Sequence, residues 1–339
     1  NIATNIGVSA RGETTNSYIS YTYTDAKGII PGNNLDRHNV SARVTSTFFN
    51  RLTVDAKINA IREFTDNQPA TGEGYLNPVR ALNKMPPNIR TADAQQYSFI
   101  NNDGILRQHY WTPNNNEPHN VYWTINNTEN DILMDRTIGM LSLGYDITDN
   151  LNFRVRSSID RQSSFGEQRR YNDTYIVADN GYYEKNDQRW SEWNTDAFLN
   201  YKNEFFDGDW SLDATIGGNI RRNEYSRTTV FPTANGLNVP NLFAISNFAV
   251  AAASEDFSKR EVQSLFGFAT IGWKNAIFLD LTARNDWSST LPEANWSYFY
   301  PSFGLTAVIS DLVALPDWWT FLKVRGNWAQ VGNDTDPYQ

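Results

Sequence analysis

From Leu52 to Ala60 the chain reads Leu-Thr-Val-Asp-Ala-Lys-Ile-Asn-Ala, apolar at every even position and polar at every odd one. Side chains of a strand alternate between two faces, so the stretch predicts a β-strand with one apolar and one charged face. Just before it, Val40, Ala42 and Val44 alternate with Asn39, Ser41, Arg43 and Thr45, and a short turn near Phe49-Asn50-Arg51 joins the two. Farther on, Leu141, Leu143, Tyr145 and Ile147 alternate with Ser142, Gly144 and Asp146. After Thr148-Asp149-Asn150 come Leu151, Phe153, Val155 and Ile159, set against Asn152, Arg154, Arg156 and Asp160. Two more turns, Phe206 to Asp209 and Trp273-Lys274-Asn275, lead into Trp210, Leu212, Ala214, Ile216 and into Ile277, Leu279, Leu281, Ala283, each again with a polar opposite face.

The repeating unit is two alternating segments joined by a short turn and followed by a longer polar connection. The pattern predicts roughly twelve strands. Long loops are expected over about 65–134, 165–180 and 228–258. Short turns at one end and long loops at the other are the asymmetry of outer-membrane barrels. One apolar and one charged face, repeated strand after strand, requires lipid on one side and water on the other. The expected fold is therefore all-β, a transmembrane antiparallel barrel or part of one. Aromatics recur beside the short turns (Phe48, Phe49, Phe205, Phe206, Trp210, Trp273, Trp318 and Trp319), where an aromatic girdle would sit at the membrane boundary.

Composition narrows the alternatives. The 339 residues contain 14% aromatics and no cysteine, which removes disulfides, thiolate chemistry and cysteine-bound zinc. No apolar run approaches the ~20 residues a membrane-spanning helix needs. The mean hydropathy is negative, as alternation allows in a spanning barrel. A net charge of −9 argues against nucleic acid as a partner. No signal peptide opens at Asn1, so a fragment or a processed product is expected.

Several passages resemble the SusC/RagA family of TonB-dependent outer-membrane transporters. Early in the chain these are Asn5 to Gly12, Ser17 to Tyr23, Gly28-Ile29-Ile30, Arg37 to Val40, then Asn77-Pro78 and Asp135 to Asp146. Late in the chain, Ala283 to Ser289, Tyr300 to Gly304, Leu322 to Asn327, Gln330-Val331-Gly332-Asn333 and Pro337-Tyr338 are the more specific block. The resemblance implies a barrel of about 22 strands around a folded plug. It also implies a SusD-like surface lipoprotein over the mouth, coupling to the TonB complex, and import of glycans or peptides across the bacterial outer membrane. Neither a plug nor a TonB box is present in these residues, so energy coupling is an implication of the resemblance alone.

Catalytic constellations are scarce, and no enzyme, cofactor or metal is expected. The histidines are His38, His109 and His119; the last two share a loop, where exposed histidines are the plainer reading than a metal pair. Asp and Glu are plentiful, but they alternate along strands as a hydrated face would require, instead of forming a glycosidase pair. On that face Asp55, Lys57, Arg154, Arg156 and Asp160 are expected to line a lumen, with Asp160-Arg161 and Arg284 with Asp286 as charge pairs. Gly217-Gly218 in a strand predicts bending or close packing. Loop aromatics are the ligand-binding candidates: Tyr110, Trp111, Tyr122, Trp123, Trp190, Trp193 and Trp296, with Trp287 nearby. An aromatic plane stacks on the apolar face of a sugar while Asn, Asp and Arg bond its hydroxyls, and the same mixture suits peptides. Packing of these rings within the loops or onto a partner is the structural alternative. A surface carbohydrate-binding or adhesion protein and a passive porin are the rival readings.

Overall fold

The computed structural model describes residues 1–110, 119–174, 180–233, 236–332 and 334–337. Twelve strands form one antiparallel sheet in sequence order: β1 (Ile2–Arg11), β2 (Thr15–Lys27), β3 (Asn34–Phe48), β4 (Leu52–Asp66), β7 (Thr128–Asp146), β8 (Leu151–Arg170), β9 (Tyr182–Phe205), β10 (Trp210–Pro232), β11 (Ala251–Trp273), β12 (Ile277–Ser288), β13 (Ser297–Val308) and β14 (Lys323–Ala329). A separate hairpin, β5 (Ser98–Ile100) with β6 (Leu106–Gln108), lies in the connection between β4 and β7. The sheet is an up-and-down meander whose edge strands, β1 and β14, do not pair with each other.

The register keeps the apolar positions on one face throughout. Val54 is opposite Leu143, which is opposite Val155, which is opposite Ala197. Leu199 is opposite Ile216, and Leu279 lies between Ile271 and Leu305. A slip of one residue would put every one of these side chains on the charged face. Covering so many apolar side chains with neighbours would bury them, yet Ile58, Leu141, Ile216, Leu265, Phe303 and Leu305 are all exposed. Gly217 shows why one strand position is glycine: a Cβ there would stand 2.8 Å from the Ala197 carbonyl oxygen and from the Phe266 ring.

Three of the short turns, at 49–50, 206–207 and 274–275, share one backbone solution. Phe49 and Asn50 have φ of 53° and 55°, and Lys274 and Asn275 have 53° and 52°. Two successive left-handed residues match the right-handed twist of the flanking strands, which is why such hairpins tolerate the strain. Phe49, Phe206 and Trp318 project as exposed rings at this end, and Trp210 packs against Trp273 at 6.4 Å between ring centres.

At the other end the strands run on. β9 has 24 residues and β10 has 23, well beyond the 9–11 that cross a bilayer. The apolar face is therefore not uniform, contrary to the sequence expectation. Beyond the apolar belt it carries the pairs Arg62–Asp135 at 2.8 Å, Arg222–Glu261 at 2.6 Å and Lys259–Glu224 at 3.2 Å. Because the strands overshoot, the long connections are 67–127, 171–181 and 233–250, each starting later, ending earlier or both when set against the expected bounds. Arg161 also lies on this face, opposite Thr137 and Ser191. Its expected pair with Asp160 does not form, since adjacent strand residues point to opposite faces; Asp160 pairs instead with Arg136 across the strands. Arg284 and Asp286 do pair, at 2.7 Å, as neighbours on one strand and not across two.

Buried side chains concentrate in and beside the long connections. Ala81, Ala94, Val121 and Trp123 are buried within 67–127, and Leu237 and Phe248 pack with Tyr183.

Candidate functional site

Three connections assemble into one cap over the long end of the sheet, and polar side chains hold them together. After the short helices α1 (Pro78–Asn83) and α2 (Thr91–Ala94), Asn120 caps α3 (Val121–Asn127) by accepting the Tyr122 N–H at 3.0 Å, while its amide donates to the carbonyls of Ala94 and His109. Asn247 bonds the backbone of Val239 in both directions and also donates to Leu242 at 2.8 Å. Asn172 receives the Asn180 N–H, and its own N–H donates to Asn241. Buried amides recur because each supplies a donor and an acceptor for backbone groups that a loop leaves unpaired.

The cap carries a cleft of about 550 Å³ lined by Phe99, Asn101, Arg107, His109, Tyr110 and Asp173, with Gln108 at its base. β5, β6 and the residues just after each of them present all of these but Asp173. Asn101 closes the hairpin by accepting the N–H groups of Asp103 and Ile105, an Asx turn of the kind that asparagine favours. Phe99 stacks on His109 with ring centres 4.8 Å apart. Asp173, at φ 73°, reaches across from the 171–181 connection. Its carboxylate accepts the Gln108 N–H at 2.8 Å and pairs with Arg107 at 3.3 Å, and its carbonyl accepts the Tyr110 hydroxyl at 2.5 Å. Burial, and then the charge of Asp173, pushes the Tyr110 hydroxyl well above the ordinary phenol range. The cleft thus offers two aromatic planes, a guanidinium and amide groups, a set able to stack on an apolar ring face and bond hydroxyls or peptide groups.

The aromatic candidates separate. Tyr110 lines the cleft. Tyr122 is half-buried on α3, and Trp111 lies outside the described residues. Trp123 is fully buried at 0% exposure and donates its indole N–H to Thr174 at 2.9 Å, so it is core and offers no ligand surface. Trp190 and Trp193 lie within β9 instead of above it. Trp190 is on the polar face opposite Gln162 and Tyr225; Trp193, 53% exposed, is on the other face opposite Ile159 and Arg222. Trp193 therefore faces away from any lumen. Trp287 shares its side, opposite Gln263 and Ser297, and Trp296 is exposed in the turn before β13. His109 gives a ring nitrogen to the Gln96 carbonyl at 2.6 Å, and His119 is buried against Gln108. Among the described residues, no group of three or more metal-ligating side chains converges.

On the polar face Asp55, Lys57, Arg154, Arg156 and Asp160 all share one side with the register given above. Asp55 accepts both arms of Arg43 at 2.9 and 2.8 Å and the Thr45 hydroxyl at 3.0 Å. Arg156 grips Asp196 at 2.9 and 2.8 Å. Lys57 and Arg154 form no ion pair among the described residues; Arg154 stands over the Phe198 ring at 5.8 Å. Sequence reasoning missed Asp173, Gln108 and the buried asparagines. The abundance of Asn in the loops hinted at them, but their partners are set by the loop fold, 65 positions away for Gln108 with Asp173 and 8 away for Asn247 with Val239.

No protein-family model matches the chain, and no curated protein matches it. Solved structures do. A chain of the RagAB peptide importer in its closed-closed state superposes with a TM-score of 0.76 at 15% identity, covering 98% of this chain and 36% of that one. A second structure of the RagAB peptide transporter gives the same score and identity over 96% of this chain. FpvA of P. aeruginosa, solved bound to heterologous pyoverdines, gives 0.57 at 8% identity, covering 93% of this chain and 38% of that one. This chain thus spans little more than a third of the length of the structures it matches. With open edges at β1 and β14, the chain has the fold of a twelve-stranded section of the β-barrel seen in the RagAB peptide importer.

Proposed function

We propose that this chain is the barrel section of an energy-coupled nutrient importer of the bacterial outer membrane. The observation that carries the reading is the register: one apolar belt runs unbroken across twelve strands and stays exposed, while the opposite face is charged. Lipid is the medium that makes such a belt favourable, and water in a lumen does so for the other face. Asp55, Lys57, Arg154, Arg156 and Asp160 line that lumen and keep it hydrated. The mechanism is passage without bond chemistry. The cap captures a glycan or peptide at the cleft around Phe99, Arg107 and Tyr110, a SusD-like lipoprotein closes the mouth, and the TonB complex drives a plug contributed by other parts of the protein. Tyr122, Trp190 and Trp296 are available as secondary ligand contacts, whereas Trp193, although exposed, lies on the opposite face from the lumen.

Uptake of a labelled oligosaccharide and a labelled oligopeptide by cells carrying the full-length protein tests the reading. An importer accumulates one of them only while the inner membrane is energised. Uptake that persists after the proton-motive force is collapsed identifies a passive porin, and a protein that stays soluble without detergent is not a barrel.

A further inference from the structure

On the polar face, β9 to β13 enclose a cavity of about 360 Å³ away from the cap cleft. Three arginines and three aspartates line it: Arg221, Arg260 and Arg284 with Asp196, Asp286 and Asp334. Each aspartate is already held. Asp196 takes both arms of Arg156. Asp286 pairs with Arg284 at 2.7 Å and accepts the Tyr300 hydroxyl. Asp334 pairs with Arg260 and accepts the Ser288 hydroxyl at 2.6 Å. Arg221 alone of the three arginines has neither an ion pair nor a side-chain hydrogen bond among the described residues, and its Nε is buried without a partner.

No described carboxylate balances the Arg221 charge, and its two Nη groups, not the covered Nε, are the donors that an anion on this face can reach. Asn194 lies directly opposite Arg221 on β9. Its side-chain oxygen accepts from Asn219 at 2.5 Å, while its amide nitrogen donates to no described residue. A guanidinium fork beside an amide N–H is a receptor for a planar oxyanion, because the two parallel N–H groups match both oxygens of a carboxylate. The charge count selects a monoanion. One arginine is uncompensated, and three aspartates in the same wall repel the second charge a phosphate would bring.

We infer that Arg221, with the Asn194 amide, receives the carboxylate of a solute moving along the polar face. The inference rests on the reading of that face as the wall of a solute path, and it narrows the cargo to one bearing a carboxylate: an oligopeptide through its C-terminus or a glycan through a uronic acid. Arg221 sits on the wall, so it acts after capture at the cap and gives the path a selectivity the cap cleft does not supply.

The test is equilibrium dialysis of the detergent-solubilised full-length protein with two probe pairs. One pair is tetra-alanine against its C-terminal amide; the other is galacturonic acid against galactose. Wild type binds the carboxylate member of one pair about tenfold more tightly than the neutral member, and the pair that shows the preference identifies the source. Arg221→Gln brings that ratio close to one, and Arg221→Lys keeps part of it, since an ammonium retains charge without the fork. A preference that survives in Arg221→Gln overturns the inference, as does a wild type that never favours a carboxylate. Equal loss of both members together with a lower thermal midpoint also overturns it, because Arg221 then holds a carboxylate of the protein itself. Uptake independent of the proton-motive force would sink the importer reading and leave this binding ratio standing.

Discussion

The carboxylate of Asp173 accepts the backbone N–H of Gln108 at 2.8 Å, joining two loops 65 positions apart in sequence. With the Arg107 pair and the Tyr110 hydroxyl on its carbonyl, this residue fastens the β5–β6 hairpin to the connection after β8. Asp173→Ala removes the acceptor and also places a less tolerant residue at φ 73°. The loss should be about 1–3 kcal/mol of cap stability. Hydrogen exchange of the Gln108 amide should accelerate while strand amides keep their protection; an unchanged Gln108 rate would show that the latch holds nothing.

Trp123 and Tyr110 are in the same cap but should respond differently. Trp123→Ala empties a fully buried site and should cost about 3–5 kcal/mol, opening the cap as a unit. Tyr110→Phe keeps the ring and loses only the bond to the Asp173 carbonyl, at about 1 kcal/mol. Near-ultraviolet circular dichroism of the two variants separates them, and a Trp123→Ala protein with an intact cap signal would contradict the core assignment.

The Tyr110 hydroxyl sets a pH dependence. Its folded pKa is raised above the ordinary 10.0 by burial. The unfolded cap releases that proton more readily, so the stabilisation is complete below about pH 10 and declines as pH rises above it. Alkaline titration followed at the tyrosinate absorbance should show one phenol ionising together with cap opening, absent in Tyr110→Phe. Independent titration of all the phenols would leave Tyr110 without the burial described.

Facing predicts tolerance in the sheet. Leu141 stands mid-belt, opposite Ala56 and Ser157. Leu141→Arg should cost about 2–4 kcal/mol in a bilayer, whereas Lys57→Gln on the hydrated face should be near neutral. Folding into lipid vesicles against urea measures both, and equal effects would refute the assignment of faces.

Much of the sheet was legible because its physics is local. Alternation at Leu52 to Ala60 fixes a face from nine consecutive residues, and each short turn follows from the residues that make it. Strand length was not legible. Above the belt the apolar face becomes Arg62, Asp135, Arg222 and Glu261, and a polar residue there reads like a loop, so the strands ended too early. The cap was least legible. Trp123 and Tyr122 are neighbours of like type, yet one is core and the other half-buried, as the turn of α3 dictates. Trp193 read as a loop aromatic because Arg, Glu and Asn surround it, and only the register to Ile159 and Arg222 shows which face it takes.

A cysteine scan along β4 tests the central claim most directly, and this section has no cysteine of its own to compete for the label. Spin labels placed singly from Val54 to Ala60 in the full-length protein, reconstituted in lipid, report access to oxygen dissolved in the bilayer and to a nickel chelate in water. The account predicts strict alternation: labels at Val54, Ala56, Ile58 and Ala60 in contact with oxygen, and labels at Asp55, Lys57 and Asn59 in contact with the chelate. Access to the chelate at both sets of positions, or to neither reagent at the apolar set, would mean that protein or water covers this face, and the barrel reading would be contradicted.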